Sequence, residues 1–363
     1  DPAFDRNRFV YVFRSCGTAQ GCDRQENVVM RFVENGGVGS NPVEIFSSTD
    51  DNTCANHNGG NIHFGQDGKL YISLGDDGCT PSNSQNVTVT QGKMHRINGD
   101  GSIPTDNPVF TQTGALPSLY ALGLRNSFDF VVDPLTPLNG SGFPRIFATE
   151  NGPSCDDEMN RIEAGFNYGW RASYPCDDNN PSPTFNTIPP LWYLGTGSPS
   201  GACCQAPTGI EVYTGTQIPE WTGDLFMASY INGAFRHFYL NGDRTGLEST
   251  TNVVNGVSVG TDIETGPDGA LYYIQGGGYS SGTLKRIIGP GGGSTPTATT
   301  VPPSNTPVPP STATRTSTTV PSNTSVPTNT ALPPSATRTS TSVPTNTAGT
   351  PSSTPTCTVP TST

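Results

Sequence analysis

The segment NHNGGNIHFGQDGKLYISLGD, residues 56–76, contains the pattern that decides the fold. An Asp-Gly pair at residues 67–68 separates two short runs in which apolar and polar residues alternate. The apolar positions of these runs are Ile62, Phe64, Leu70, Ile72 and Leu74. Alternation with a period of two on both sides of Asp-Gly is typical of a tight β-hairpin. The segment therefore predicts two antiparallel strands joined by a short turn.

The same pattern recurs along the chain, with an apolar residue, a turn rich in Asp, Gly or Asn, and an apolar-aromatic strand. Its copies occupy residues 4–12, 64–72, 132–148, 221–228 and 266–274. Repeated strand–turn–strand units with long loops between them indicate an all-β propeller of four-stranded blades. A β-sandwich is the alternative, but five near-copies of one hairpin are hard to obtain from it. The first copy stands at the start of the chain, so we expect an N-terminally truncated propeller with one blade missing or incomplete.

The composition divides the chain at about residue 290. Residues 1–290 hold every Trp and Tyr and nearly all Phe, Ile and Leu, and they form the predicted propeller domain. Residues 291–363 consist mainly of Pro, Thr and Ser. Such a segment buries too little apolar surface to offset its conformational entropy. We predict a disordered linker or stalk, open to O-glycosylation, with a possible further domain beyond it.

The charge of the chain limits its partners. There are 18 basic and 30 acidic residues, and the tail holds only two of the basic ones, Arg315 and Arg338. The body therefore carries 16 basic against 30 acidic side chains, a net charge of −14. This surface argues against nucleic acid and anionic membranes, and it favours cations such as calcium. No apolar run approaches the roughly 20 residues that a membrane span needs.

Eight of the nine cysteines lie in the body, and none forms a Cys-x-x-Cys pair. An even number without metal-site spacing indicates disulfides in an oxidising compartment, whereas reduced structural cysteines are the alternative. We therefore expect a secreted protein. The local pairs that we predict are Cys16–Cys22, Cys54–Cys79 and Cys155–Cys176, while the pairing of Cys203 and Cys204 stays open.

Two ionisable residues flank the predicted hairpin. His57 precedes its first strand, and Asp76 follows its second strand at the same rim, so their side chains can meet. An imidazole that titrates near neutral pH, held in one tautomer by a carboxylate, forms a general-base pair. A polar loop histidine beside a turn aspartate is the alternative interpretation.

A second set of ionisable residues follows the third hairpin copy. Four carboxylates fall within nine residues, at Glu150, Asp156, Asp157 and Glu158. They surround the turn Gly152-Pro153, whose backbone carbonyls would be exposed, and such oxygen donors favour a hard cation such as calcium. A solvated acidic loop is the alternative. Arg125, upstream, could pair with a carboxylate of a ligand or with this acidic loop.

Taken in order, these motifs resemble the soluble glucose/sorbosone dehydrogenases that depend on pyrroloquinoline quinone (PQQ), which are six-bladed propeller aldose dehydrogenases. The resemblance is dense over residues 56–170 and patchy over residues 206–288. The motifs that carry it include His57-Asn58-Gly59-Gly60, Gly75-Asp76, Gly123-Leu124-Arg125-Asn126, Glu150-Asn151-Gly152-Pro153 and Tyr168-Gly169-Trp170.

The resemblance implies a six-bladed propeller and a secreted or cell-surface bacterial oxidoreductase. Such an enzyme oxidises an aldose sugar or related polyol and passes electrons to an external acceptor. His57 would be the base and Asp76 would hold it. Arg125 and Asn126 would contact PQQ. The carbonyls of Gly152 and Pro153 would bind a calcium ion that polarises the quinone.

The chain also departs from the family pattern. The family prototype has a lysine on the loop that corresponds to residues 229–233, and two arginines before Asp262, but neither feature is present here. Arg236 is a possible substitute. The departure motivates an alternative function, a calcium-dependent carbohydrate- or protein-binding propeller without quinone. Lactone hydrolysis at a central calcium is a third possibility. Tyr168 and Trp170 are expected to pack in the interior, with stacking on a sugar ring as the alternative.

Overall fold

The computed structural model describes residues 1–17, 25–48, 54, 56–153, 156–172, 187–194, 205–231, 235–254, 259–278 and 281–289. These residues form five small antiparallel sheets, which confirms the all-β propeller. The described part of the chain contains one α-helical turn, α1 (Phe4–Asn7), and no helix in it is long and apolar enough to cross a membrane. The predicted tail, residues 291–363, lies outside the described residues.

Each sheet is a meander in which strands adjacent in sequence are hydrogen-bonded neighbours. The first sheet contains β1 (Phe9–Cys16), β2 (Glu26–Asn35) and β3 (Val38–Ser47). The second contains β4 (Ile62–Phe64), β5 (Leu70–Leu74), β6 (Lys93–Ile97) and β7 (Leu119–Leu122). The third contains β8 (Phe130–Val132), β9 (Ile146–Glu150), β10 (Asp157–Ile162) and β11 (Trp192–Leu194). The fourth contains β12 (Pro207–Val212), β13 (Leu225–Ser229), β14 (Phe235–Leu240) and β15 (Leu247–Val254). The fifth contains β16 (Val259–Thr265), β17 (Leu271–Gly278) and β18 (Ser281–Ile287).

The recurring sequence pattern produces the same turn in different sheets. The turn before β5 is closed by a hydrogen bond from the amide of Gly68 to the carbonyl of Gly65 (2.9 Å), and Gly68 has φ +71°. The turn before β17 repeats it, with Gly269 donating to Gly266 at 2.9 Å and φ +77° at Gly269. Only glycine adopts this left-handed conformation readily, which explains why Asp-Gly recurs at these two turns.

The prediction of six four-stranded blades is corrected by the structure. The described residues form five sheets, and the first and last of these have three strands. The five hairpin copies supply β1, β5, β9, β13 and β17, one strand to each sheet. The sixth blade was inferred from the family resemblance, and the residues that the structure describes contain no sixth copy of the hairpin from which it could form.

The hydrophobic core lies between successive sheets. Because side chains alternate between the two faces of a strand, one strand supplies two interfaces. Ile146 and Ala148 of β9 pack toward the second sheet, whereas Phe147 packs toward the fourth. In the same way, Leu225 of β13 packs toward the third sheet and Phe226 toward the fifth. Apolar residues facing both ways hold the sheets face to face as in a propeller.

The first strands of the later sheets lie side by side. Strand β4 lies beside β8, and β12 lies beside both β8 and β16. Side chains link the edges of these sheets: the hydroxyl of Thr149 donates to the carbonyl of Thr208 (2.8 Å), and the hydroxyl of Thr208 donates to the carbonyl of Gly260 (2.7 Å). The loop before each first strand and the loop after each second strand therefore lie at one end of the propeller.

One predicted disulfide is confirmed, between Cys54 and Cys79. Cys16 is also disulfide-bonded, but Cys22, its predicted partner, lies outside the described residues. The predicted pair Cys155–Cys176 lies outside them too, as do Cys203 and Cys204.

Candidate active site

His57 and Asp76 meet at this end of the propeller. Nδ1 of His57 lies 2.6 Å from Oδ1 of Asp76. His57 adopts φ +53°, a conformation that is uncommon outside glycine and that often marks functional loops. The backbone of His57 packs so closely on Gly75 that a Cβ there would lie 2.0 Å from the carbonyl oxygen of His57. Glycine at position 75 thus permits the loop to approach the end of β5.

The carboxylate of Asp76 is buried, and hydrogen bonds from protein groups replace those that it would make to water. Oδ1 also accepts from the amide of Gly78 (2.8 Å), and Oδ2 accepts from Nε1 of Trp170 (2.7 Å). Burial alone would raise the pKa of Asp76, but the hydrogen bonds from His57, Gly78 and Trp170 lower it below its ordinary value. Asp76 therefore stays charged and holds the proton of the imidazole on Nδ1.

Trp170 is the residue whose role at the site the sequence reasoning missed. We expected it to pack in the interior or to stack on a sugar. Its indole N–H instead reaches Asp76, 94 residues away in the sequence. The only available signal was the position of Tyr168-Gly169-Trp170 within the family motifs. Tyr168 does pack as expected, with its hydroxyl donating to the carbonyl of Arg161 (2.6 Å).

Arg125 and Asn126 lie at the same end, on the loop before β8. Nη1 of Arg125 donates to the carbonyls of Asn151 (2.8 Å) and Gly152 (2.9 Å). Its guanidinium lies over the ring of Trp170, 5.4 Å from the centroid, and burial lowers its pKa. The backbone carbonyl of Asn126 accepts from the amide of Asn151 (3.3 Å). The structure thus brings the predicted cofactor-contacting residues beside the predicted metal-binding turn.

Two carboxylates of the acidic segment accept hydrogen bonds from backbone amides. Glu150, buried at the end of β9, accepts from the amide of Arg125 (3.0 Å) and the hydroxyl of Ser127 (2.7 Å), and burial raises its pKa to about 7. Asp157 accepts from the amides of Gly152 (3.0 Å) and Ala206 (2.9 Å). These two carboxylates therefore fix the backbone around the predicted metal-binding turn Gly152-Pro153.

Gly152 and Pro153 line a small pocket with Glu150, Asp156, Glu158 and Trp170, among others. Its free volume of about 20 Å³ is enough for one water molecule or ion. No cluster of three or more His, Cys, Asp or Glu side chains with metal-binding geometry occurs in the part of the chain that the structure describes. The donors at this turn are backbone carbonyls backed by carboxylates, which is the hard oxygen environment that calcium prefers.

A larger open cavity of about 570 Å³ lies next to the histidine loop, between the first and fifth sheets. Its lining residues include Gly59, Gly60, Asn61, Asp129, Thr261 and Asp262. Arg236, the possible substitute cation, is not among its lining residues. Its Nε and Nη2 donate to Oε1 of Gln205 (3.1 and 3.0 Å), and its guanidinium lies 4.6 Å from the ring centroid of Trp192.

Three relatives show what the chain is similar to. An uncharacterized protein of Synechocystis sp. is 30% identical over 302 residues, which cover 79% of this chain and 68% of that protein. The quinoprotein glucose dehydrogenase B of Acinetobacter calcoaceticus is 27% identical, over 62% of this chain and 49% of that protein, so the chain spans about half the length of this relative. The crystal structure of the soluble aldose sugar dehydrogenase of Escherichia coli in the apo-form superimposes with a TM-score of 0.63 at 25% identity, covering 78% of this chain and 79% of that one.

A sequence profile described as Glucose / Sorbosone dehydrogenase matches residues 1–286. The match covers the whole of the described structure except its last three residues. It confirms the resemblance inferred from the motifs, and the chain belongs to the glucose/sorbosone dehydrogenase family.

Proposed function

We propose that the chain carries the catalytic domain of a secreted, quinone-dependent oxidoreductase that oxidises an aldose sugar or a related polyol. The observation that carries this proposal is the hydrogen bond between Nδ1 of His57 and the buried carboxylate of Asp76. Membership of the family and the relatives named as aldose sugar and glucose dehydrogenases support the class of reaction.

His57 acts as the general base. Because Asp76 occupies Nδ1, the second ring nitrogen, Nε2, points away from the carboxylate and takes the proton of the sugar hydroxyl. Asp76 stays ionised, so it stabilises the imidazolium that forms. The side chain of His57 is 14% exposed, which gives a hydroxyl group access from solvent.

When bound, PQQ would supply a hydride acceptor and calcium a Lewis acid, and together they would provide the redox chemistry. Arg125 and Asn126 would contact the quinone, and the carbonyls of Gly152 and Pro153 would hold the ion. The residues fit these groups because oxygen donors and a guanidinium converge beside Trp170. The carbonyl of Gly152 accepts from Arg125 yet keeps a second lone pair for a metal.

We expect calcium to bind before PQQ binds. The pocket at Gly152 is lined by the carboxyl groups of Glu150, Asp156 and Glu158 and by one guanidinium, that of Arg125. A tricarboxylate such as PQQ is repelled by such surroundings unless a divalent cation compensates them. We therefore expect no tight binding of PQQ in the absence of calcium.

The proposed location outside the cytoplasm rests on cysteine chemistry. The Cys54–Cys79 disulfide joins the segment before His57 to the segment after Asp76, and disulfides persist in oxidising compartments. An external electron acceptor would then reoxidise the cofactor at the open end of the propeller.

The test is reconstitution of the full-length protein with calcium and PQQ, followed by dye reduction with a panel of aldoses. We expect reduction that requires both additions. The proposal is wrong if the quinone binds, as its absorbance shows, but no aldose or polyol reduces the dye. A sample with quinone and a calcium chelator is the control for the metal.

The alternative function is a calcium-dependent carbohydrate- or protein-binding propeller that does not use quinone. The contacts of Arg236 with Gln205 and Trp192 favour it, because a guanidinium committed to them does not replace the cations of the family prototype. Binding to a glycan array in calcium, with no change in quinone absorbance, would support this alternative.

A further inference from the structure

We infer that Trp170 is a positioning residue, whose indole N–H fixes the carboxylate of Asp76 and through it the catalytic tautomer of His57. The inference rests on the proposed function in that it assigns His57 as the base. It concerns a side chain of the segment that follows β10 of the third sheet, whereas His57 and Asp76 flank strands of the second sheet.

Both oxygens of Asp76 have defined partners. Oδ1 accepts from Nδ1 of His57 (2.6 Å) and from the amide of Gly78 (2.8 Å). Oδ2 accepts from Nε1 of Trp170 (2.7 Å). A carboxylate that is bound only through one oxygen can rotate about its Cβ–Cγ bond, whereas donors on both oxygens fix its plane. Trp170 therefore supplies the donor that keeps Oδ1 directed at the imidazole.

The indole is itself held by the backbone. The amide of Trp170 donates to the carbonyl of Gly123 (2.9 Å), and Nε2 of Gln85 donates to the carbonyl of Trp170 (2.7 Å). A Cβ at Gly123 would lie 2.7 Å from the amide of Gly169, so only glycine permits this close approach. Trp170 is thus fixed at the base of its side chain and presents a single N–H to Asp76.

The charged groups around Asp76 define the expected effect. His57 faces Oδ1, and Arg125 lies over the face of the same indole, 5.4 Å from the ring centroid. Without the indole N–H, Oδ2 of a carboxylate that is 1% exposed loses a donor. The loss of this donor loosens the orientation of the carboxylate, and we expect about a tenfold loss of turnover.

The direct test compares Trp170→Phe with Trp192→Phe. Both changes remove an indole, but that of Trp192 packs on Phe238 and Arg236. We expect Trp170→Phe to lower kcat about tenfold while KM and quinone affinity change by less than about twofold. The acidic limb of the pH profile should also move upward, because a carboxylate with fewer donors favours the protonated imidazole. Trp192→Phe should leave kcat and the pH profile unchanged.

An NMR measurement on the unaltered protein tests the same contact without turnover. The chain contains three tryptophans, so its indole N–H signals are few. The Trp170 signal, assigned with the Trp170→Phe variant or, if that variant does not fold, with Asp76→Asn, should shift with pH over the range in which His57 titrates. The Trp192 signal should not follow that titration. A Trp170 signal that is insensitive to the protonation of His57 would overturn the inference.

The two proposals fail in different ways. If no aldose reduces the dye but the Trp170 signal still follows His57, the proposed function is wrong and the coupling of Trp170 to the pair stands. If the wild-type protein oxidises aldoses and Trp170→Phe retains the same kcat and pH profile as Trp192→Phe, the role of Trp170 is wrong and the proposed function stands.

Discussion

The part of the chain that the structure describes contains two histidine–aspartate pairs with the same separation and opposite surroundings. The distance from nitrogen to carboxylate oxygen is 2.6 Å in both His57–Asp76 and His237–Asp224. In the first pair the histidine side chain is 14% exposed and the aspartate 1%, whereas in the second the values are 3% and 19%. The first pair presents its imidazole to solvent and buries its carboxylate, and the second does the reverse.

The surroundings explain the difference. His237 lies on β14 and stacks on Phe226, with ring centroids 4.3 Å apart, and on Tyr239 at 4.1 Å. It bonds to its aspartate through Nε2, the nitrogen that reaches furthest from the backbone. His57 bonds through Nδ1 from a loop with positive φ, so Nε2 remains for a substrate. A short His–Asp distance alone therefore does not identify a catalytic base, because the exposure of the imidazole decides whether a substrate can reach it.

Exchanging each aspartate for asparagine should separate the pairs most strongly. Asp76→Asn removes the charge that fixes the tautomer of His57, so kcat should fall by about 10²- to 10⁴-fold. Asp224→Asn should leave kcat unchanged, since its histidine is buried among aromatic rings. Steady-state dye reduction by the reconstituted variants measures both effects. Equal losses in the two variants would show that the comparison has no functional meaning.

For stability the order of the two pairs should be the opposite of that for turnover, because removing His237 should destabilise the protein more than removing His57. His237→Ala deletes a buried ring that packs on Phe226 and Tyr239, and we expect a loss of about 2–4 kcal/mol in the free energy of unfolding. His57→Ala should change it by less than about 1 kcal/mol, because His57 lies in a partly exposed loop. Denaturant unfolding of the two variants gives the comparison, and a larger loss for His57→Ala would contradict it.

The Cys54–Cys79 disulfide lies beside the His57–Asp76 pair, not beside the His237–Asp224 pair. Cys54 lies three residues before His57, and Cys79 lies three residues after Asp76, so the bond ties together the two loops that carry the pair. The double variant Cys54→Ser, Cys79→Ser should lower kcat about three- to tenfold through looser alignment of the base. Near-UV circular dichroism would show whether the aromatic packing around His237 is intact, as we expect. Unchanged turnover would mean that β5 and Gly75 hold the loop without the bond.

The smallest expected effect concerns acid stability. Burial acts to raise the pKa of Asp76, but its hydrogen bonds from His57, Gly78 and Trp170 outweigh this and lower the pKa below its ordinary value. A lowered carboxyl pKa contributes stability above the unfolded value, which is lost as pH falls through the folded value. Below about pH 4, Tm of the wild type should therefore fall more steeply than Tm of Asp76→Asn. Parallel curves from calorimetry would assign this part of the acid sensitivity to other carboxylates.

Most of the fold could be predicted because it depends on local patterns. Asp-Gly between alternating apolar residues determines the hairpin of β4 and β5, and the same pattern gives one strand in each of the five sheets. The meeting of His57 with Asp76 could also be predicted, because both residues flank one hairpin. The five hairpin copies match the five sheets of the described residues, whereas the sixth blade was taken from the family resemblance and has no copy of the pattern in them.

The parts of the site that the sequence did not reveal depend on packing between sheets. Trp170 reaches Asp76 only because the segment after β10 folds back along the second sheet, with the amide of Tyr168 bonded to the carbonyl of Leu122 (2.8 Å). Asp157 was read only as part of an acidic segment that favours a cation, but its carboxylate accepts from the amides of Gly152 and of Ala206, 49 residues further along the chain. The charge pattern identified an acidic segment without showing which carboxylates the backbone would use.

The rate at which an aldose reduces bound PQQ in a single turnover tests the central assignment most directly. Stopped-flow absorbance should compare the calcium-loaded wild type with His57→Ala at saturating sugar, after equal quinone binding has been confirmed. Quinone reduction should slow by at least about 10²-fold when the imidazole is removed. Equal rates of reduction in the two proteins would contradict the assignment of His57 as the base.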